Sequence, residues 1–109
     1  IGKNVIAGAD EIGNAAKGMP QYTKSSLSLG REMHTAFKAG LADDIVTFKE
    51  FTKIKGIRPD FVDFSTKTIY ELKPFNPRQI QLGTKQLNNY KLLFEQRYGG
   101  TWNTVLDLY

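Results

Sequence analysis

The chain has 109 residues, among them 15 basic and 11 acidic side chains, and carries a net charge of +4. This length suits one domain with a single core, and the positive charge favours an anionic partner such as nucleic acid, an acidic protein or a membrane surface. The absence of cysteine and the presence of one histidine exclude disulfides, thiolate metal sites and mechanisms that need a histidine pair. No apolar run approaches the roughly 20 residues that span a bilayer, so we expect no stable membrane insertion.

The beginning of the chain is rich in glycine and small polar side chains. The residues that interrupt a helical pattern there are Gly2, Gly8, Gly13, Gly18 and Pro20. We therefore interpret residues 1–26 as a linker or a loosely docked arm and residues 27–109 as the folded domain. Because the chain starts with Ile rather than Met, we expect it to be a piece of a longer protein.

A first helix and a first strand follow this segment. The apolar residues that fall on one helical face are Leu29, Met33, Ala36 and Phe37. Ser28 can cap the start of this helix and Gly40 can end it. Residues 44–54 then alternate apolar and polar side chains, which predicts a half-buried strand.

The rest of the chain predicts a hairpin, a long helix and a last strand. The hairpin strands are residues 57–64 and 67–73. The dipeptide Asn76-Pro77 is a strong helix start, with Asn as N-cap and Pro in the first helical position, and this helix ends at Gly99. Residues 101–109 then form the final strand. The resulting α-β-β-β-α-β order predicts an α/β sandwich around a mixed sheet.

Three charged side chains stand in the hairpin, where apolar residues predominate. Glu71 and Lys73 share a face because side chains two apart on a strand point the same way. If Ser65 and Thr66 form a two-residue turn, Asp60 lies opposite Glu71. A four-residue loop instead places Asp60 opposite Lys73, again on the same face, whereas an odd-length loop reverses it.

Two carboxylates and an ammonium on one patch suit a divalent cation. Mg²⁺ takes oxygen ligands and is usually held by one or two carboxylates together with waters and phosphate oxygens. Such an ion polarises a phosphodiester and lowers the pKa of a bound water, and a neighbouring lysine can orient that water. The alternative is a surface hairpin in which Glu71 and Lys73 pair with their neighbours.

The sequence Pro59-Asp60 followed by Glu71-Leu72-Lys73 resembles the signature of the PD-(D/E)XK nuclease superfamily, the restriction-endonuclease-like fold. The core of that family has the element order predicted for residues 28–109. The resemblance implies that Asp60 and Glu71 bind Mg²⁺ or Mn²⁺ together with the main-chain carbonyl of Leu72. It also implies that Lys73 positions the attacking water.

The two helices carry further residues that resemble this family. Members often have an acidic residue on the first helix, a place that Glu32 fills, with Glu50 as its competitor for a metal-binding role. A subgroup that includes RecB-type nucleases carries Q-x-x-x-Y on the second helix, matched here by Gln86 and Tyr90. The resemblance implies that these two residues contact nucleic acid or orient the site. We interpret the single histidine, His34, as a helix-surface residue.

Residues 71–90 are also similar to nuclease domains at the C-terminal ends of bacterial polymorphic toxins, including Rhs-type and contact-dependent growth inhibition effectors. This resemblance implies a secreted or cell-surface-delivered effector that acts in the cytoplasm of a target bacterium. It also implies a cognate immunity protein, which we expect to be acidic because the toxin is basic.

The predicted function is therefore that of a metal-dependent DNA endonuclease toxin. Arg78, Lys85 and Lys91 are candidates for a phosphate track, since such contacts give sequence-independent affinity. One alternative is a toxin of the same fold that cuts transfer RNA or other RNA. Another is a non-catalytic nucleic-acid-binding module.

Overall fold

The structure is a computed structural model that describes residues 4–7, by their backbone alone, and residues 21–109. The part of the chain so described contains helices α1 and α2 and strands β1 to β5. The helices are Leu27–Ala36 (α1) and Pro77–Tyr98 (α2), and the strands are Asn4–Ala7 (β1), Thr47–Lys49 (β2), Phe61–Asp63 (β3), Thr68–Lys73 (β4) and Asn103–Leu108 (β5). From α1 onwards, this is the α-β-β-β-α-β order that the sequence predicts.

The five strands form one mixed sheet in the order β1-β5-β4-β3-β2. Strands β4 and β5 run parallel, and the other neighbouring pairs are antiparallel. The long helix α2 connects the two parallel strands, as a parallel pair requires a crossover. The predicted α/β sandwich around a mixed sheet is therefore confirmed.

Strand β1 lies within the segment that we interpreted as an arm. Its backbone pairs with β5, from Asn4 opposite Leu108 to Ala7 opposite Val105. Residues 1–3 and 8–20 lie outside the described residues, so the interpretation of 1–26 as a linker or arm remains a prediction for them. The end of this segment contacts the domain, because Thr23 donates its N–H to the Phe75 carbonyl at 2.9 Å.

The hairpin of β3 and β4 has the register expected for a turn centred on Ser65 and Thr66. Phe61 pairs with Tyr70 and Asp63 with Thr68, and the same register places Asp60 opposite Glu71. The turn itself spans residues 64–67. The Asp63 carboxylate accepts the N–H of Ser65 at 2.9 Å, which closes the turn without an Asn-Gly or Asp-Gly pair.

Both helices begin at capping residues, but the bounds of α1 differ from the prediction. The N-cap of α1 is Ser26 rather than Ser28, and its hydroxyl accepts the Leu29 N–H at 3.1 Å. The helix ends before Gly40 because Phe37 turns into extended backbone. Helix α2 starts as predicted, with the Asn76 side chain as its cap.

The predicted strand of residues 44–54 is shorter than expected, since β2 covers only Thr47–Lys49. Glu50 has a φ of 53°, a left-handed conformation that a regular strand does not accommodate. Beyond it, the Glu50 and Phe51 N–H groups donate to the carbonyls of Asp60 and Pro59 at 2.9 and 3.1 Å. The chain therefore stays attached to the segment that leads into β3.

Each face of the sheet is covered by one helix. The core under α2 is built from Phe51, Val62, Ile69, Phe75, Ile80, Leu87, Tyr90, Phe94, Trp102, Leu106 and Leu108. The smaller core under α1 consists of Phe37, Phe61, Leu72 and Tyr109, with Leu29 and Met33 packed against it. Along β4, Leu72 faces α1, and Glu71 and Lys73 face α2 by alternation.

One lysine of β2 holds the C-terminal end of α1. The Lys49 ammonium donates to the carbonyls of His34, Thr35 and Phe37 at 2.8, 2.8 and 2.5 Å. A cation at this end of a helix is also favoured by the helix dipole. This contact fixes the position of α1 over the sheet.

We expect Lys49→Met to lower the free energy of unfolding by about 2 kcal/mol, because it leaves carbonyls without a charged donor. Thermal unfolding followed by circular dichroism measures this effect. Lys55→Met, at an exposed position, is the matched control and should leave the transition almost unchanged. Equal transition temperatures for the two variants would contradict the role of Lys49.

Candidate active site

The predicted acidic pair meets where β3 begins and β4 ends. Asp60 immediately precedes β3, and its N–H donates to Glu71 Oε1 at 3.2 Å. Asp60 Oδ2 accepts the N–H of Leu72 at 2.8 Å. The Lys73 ammonium lies 3.6 Å from Glu71 Oε2. The hairpin thus brings together the three charged side chains that the sequence singles out.

The pKa of Glu71 departs strongly from its ordinary value. Its side chain is 6% exposed. Burial, followed by the negative charge of Asp60, raises the pKa of Glu71 to about 7, and Lys73 opposes the rise. Two carboxylates held together with limited water therefore require either a proton or a positive charge between them.

The proline before Asp60 changes the hydrogen bonding at this end of the hairpin. Continuing the observed register beyond Phe61 and Tyr70 places Pro59 opposite Leu72. Because proline has no N–H, Pro59 cannot donate a ladder hydrogen bond to the Leu72 carbonyl. The other main-chain group of Leu72, its N–H, donates to the Asp60 carboxylate. The main chain of Leu72 thus belongs to the site as well as to the sheet.

His34 also lies at this site, although we interpreted it as a helix-surface residue. Its Nε2 is 3.4 Å from Asp60 Oδ2, and its Nδ1 is 2.9 Å from the Gly30 carbonyl. The interaction with Asp60 is the main cause of a raised pKa of His34. Its position in the last turn of α1, at i−3 to the buried Phe37, was the available signal.

The other two acidic candidates, Glu32 and Glu50, differ in their position relative to the pair. Glu32 is exposed and is not among the residues that line the cavities bordered by Asp60. Two residues apart on a helix are about 200° apart, so Glu32 points away from the side that carries His34. Glu50 lines a cavity together with Asp60, and its carboxylate is 3.9 Å from Arg58. The metal-binding role of Glu32 remains a prediction.

Gln86 and Tyr90 of α2 face the acidic pair across a cavity of about 480 Å³. Asp60, Glu71 and Lys73 line the same cavity. Burial and then the charges of Glu71 and Asp60 raise the pKa of Tyr90 to about 12. The side-chain oxygen of Gln86 is buried and accepts no hydrogen bond from the described residues. The i, i+4 spacing on α2 thus places both side chains at the same cavity, and their roles remain predictions.

The basic residues have two different environments. Lys91 is engaged within the domain, since its ammonium donates to Glu95 at 2.7 Å and to the Trp102 carbonyl at 2.6 Å. Arg78 and Lys85 are exposed on α2. The phosphate-binding roles of these three residues remain predictions.

Two arginines that the sequence analysis did not select lie beside the acidic pair. Arg31 and Arg58 line a cavity of about 500 Å³ that Asp60 borders from the side of α1. Both side chains belong to exposed residues, so they can reach an anionic ligand. Neither occurs in a motif, which is why their positions emerge only from the folded chain.

The oxygen groups of the site match a hard cation, although they do not form a complete cage. Within residues 4–7 and 21–109, no three His, Cys, Asp or Glu side chains are grouped so that they could hold a metal ion. Two carboxylates are nevertheless the number that Mg²⁺ commonly uses, with waters and substrate oxygens as its other ligands.

No helix in residues 4–7 and 21–109 is long and apolar enough to cross a bilayer.

The helix-flanked mixed sheet, with an Asp-Glu-Lys group at the end of its central hairpin, defines a protein of the restriction endonuclease fold. A family model described as restriction endonuclease fold toxin 9 matches residues 22–109. The chain belongs to this family, and the predicted PD-(D/E)XK-like toxin nuclease domain is confirmed. No curated protein and no solved structure matches the chain.

Proposed function

We propose that this toxin domain is an endonuclease that hydrolyses DNA phosphodiesters with the help of Mg²⁺ or Mn²⁺. Membership of a restriction endonuclease fold toxin family supports a nuclease toxin. The observation that carries the proposal is the contact of Asp60, Glu71 and Lys73 at one end of the hairpin. Buried charged groups with a strongly shifted pKa cluster at functional sites, and Glu71 is one of them.

The residues present fit a hard divalent cation. Asp60 and Glu71 would hold it, with the carbonyl of Leu72 as a main-chain oxygen that Pro59 does not occupy. Burial and then the charge of Asp60 raise the pKa of Glu71, so a cation between the two carboxylates would be favourable. Gln86 lines the same cavity, and its side-chain oxygen has no hydrogen-bond donor among the described residues. When bound, the ion would polarise the phosphodiester and acidify a water.

The remaining side chains have distinct roles in this proposal. Lys73 orients the attacking water and stabilises negative charge on the phosphate, because its ammonium projects into the cavity beside Glu71. Tyr90 and Gln86 orient the substrate from α2. Arg31 and Arg58 attract the phosphate backbone on the other side of Asp60. His34 holds the Asp60 carboxylate against α1.

We propose DNA rather than RNA as the substrate because of Gln86 and Tyr90. Both residues line the cavity of the acidic pair, and their resemblance to the Q-x-x-x-Y of RecB-type nucleases supports DNA. An RNase toxin of the same fold is the second candidate, since the positive charge of the chain suits either polymer. A common assay of both substrates separates the two candidates.

We further infer that the domain acts inside a target bacterium after delivery by a longer secreted or surface-displayed effector. Its family is a toxin family, and the resemblance to polymorphic toxins supports this setting. An immunity protein would protect the producing cell. Its binding surface should be acidic, because the exposed arginines beside the site favour a negatively charged partner.

Removal of divalent cations should abolish cleavage. We expect the domain to cut supercoiled plasmid in Mg²⁺, to lose at least about 1,000-fold of its rate in excess EDTA, and to recover when Mg²⁺ is restored. Gel electrophoresis of plasmid and total RNA offered side by side measures rate and substrate choice. Thermal unfolding in EDTA is the control for an intact fold. Cleavage that persists in EDTA would contradict metal dependence, and cleavage of RNA alone would contradict the DNA assignment.

A further inference from the structure

Gly83 occupies an unusual place for a glycine, inside the long helix α2. It is buried, and it is the one glycine between Pro77 and Tyr98. A glycine in a helix interior is less favourable than alanine by about 1 kcal/mol, so its presence requires a reason. Because its φ is an ordinary helical value rather than a left-handed one, backbone strain does not supply that reason.

The reason is the space beside its Cα. A Cβ at position 83 would lie 2.8 Å from Leu106 Cδ1 and 2.9 Å from Lys73 Cγ. It would also lie 3.6 Å from Lys73 Cε. The aliphatic stem of Lys73 therefore runs lengthwise across the bare backbone of Gly83. Carbon atoms at ordinary contact are about 3.5–4.0 Å apart, so a methyl group must displace one of these side chains.

The path of this stem determines where the Lys73 ammonium lies. The Lys73 side chain is 14% exposed, and its ammonium, one bond beyond Cε, is 3.6 Å from Glu71 Oε2. The Lys73 stem leaves the end of β4 and packs against α2 at Gly83, where no side chain blocks its path. Without this contact, a flexible lysine would extend into solvent, where its charge is better hydrated.

We propose that Gly83 is a positioning residue for Lys73: the missing side chain provides the channel through which the lysine reaches the acidic pair. The expected effect of Gly83 on catalysis rests on the proposed nuclease function. A misplacement of a reacting group by about 1 Å can reduce a rate by about 100-fold. The placement of the lysine itself is independent of any activity.

We expect Gly83→Ala to lower kcat by about 100-fold and to leave KM for plasmid and the affinity for Mn²⁺ within about threefold. Steady-state cleavage and calorimetric titration with Mn²⁺ measure these quantities. Because the new methyl group also contacts Leu106, the double variant Gly83→Ala, Leu106→Val removes that contact while keeping the one with Lys73. The double variant should regain thermal stability without regaining kcat, and Leu106→Val alone should keep wild-type kcat.

A second measurement does not depend on cleavage. Limited acylation followed by mass spectrometry gives the labelling rate of Lys73 relative to that of the exposed Lys85. We expect Gly83→Ala to raise this ratio at least about threefold, since a displaced stem moves the ammonium from the cleft into water. An unchanged ratio would overturn the proposal whether or not the domain cleaves DNA. Recovery of kcat in the double variant would overturn it as well, because stability alone would then explain the loss.

Discussion

Asp60→Asn is expected to reduce plasmid cleavage on the order of 1,000-fold while leaving the fold intact. Asparagine has the shape of aspartate, and its side-chain oxygen can still accept the Leu72 N–H that Asp60 accepts at 2.8 Å. It lacks the negative charge, however, and a neutral amide is a much weaker ligand for Mg²⁺ than a carboxylate. Cleavage rate and Mn²⁺ affinity should therefore fall together, and both are measured on the same preparation.

The matched control for this variant is Asp44→Asn. Asp44 is exposed and has a φ of 59°, a conformation that asparagine tolerates well. The control removes the same charge outside the site, so cleavage and Mn²⁺ affinity should keep their wild-type values. An Asp60→Asn protein that binds Mn²⁺ normally, or that cleaves as fast as the control, would show that the cation is held elsewhere.

Glu71→Gln is expected to abolish cleavage and, in EDTA, to stabilise the metal-free protein at alkaline pH. The folded pKa of Glu71, about 7, lies above its unfolded value of 4.5. The folded state therefore binds more protons between these values, so the contribution of Glu71 to stability is present below pH 4.5 and is lost as the pH rises through 7. Glutamine carries no charge and can keep the hydrogen bond from the Asp60 N–H.

The gain in stability should thus be on the order of 2 kcal/mol at pH 8.5, or roughly 10 °C in Tm, and should disappear near pH 4. Calorimetric scans at several pH values measure it. Glu95→Gln is the control with the opposite sign. Hydrogen bonds from Lys91 and the Trp102 main chain lower the pKa of Glu95, so its replacement should reduce Tm at pH 8.5. A Glu71→Gln protein that melts below wild type at pH 8.5 would contradict the electrostatic account.

Much of the fold follows from local sequence signals. The Asn76-Pro77 start of α2 and its glycine end are specified by residues whose hydrogen bonding and φ preferences are local. The hairpin register follows from the position of its turn. The start of α1 was harder to predict from the sequence, because Ser26 and Ser28 are equally good caps and only packing decides between them. Strand β1 lies in glycine-rich sequence, and its pairing with β5 is a long-range contact.

The residues of the candidate site likewise fall into those that the sequence predicts and those that it does not. Asp60, Glu71 and Lys73 could be placed together at one end of the hairpin because strand alternation and the turn determine their positions. His34 could not, since its contact with Asp60 depends on how α1 lies over the sheet. The contacts of Lys49 with the carbonyls at the end of α1 are part of that arrangement, and they join residues 12 to 15 positions apart. No local sequence pattern specifies contacts of this kind.

Proline at position 59 has a consequence for the integrity of the sheet. Any other residue there would carry an N–H that could donate to the Leu72 carbonyl, and that oxygen would then be occupied by a cross-strand hydrogen bond. A single oxygen atom would thus serve either to lengthen β3 or to coordinate a cation. Because residue 59 is proline, its main chain cannot compete with the proposed cation for this oxygen.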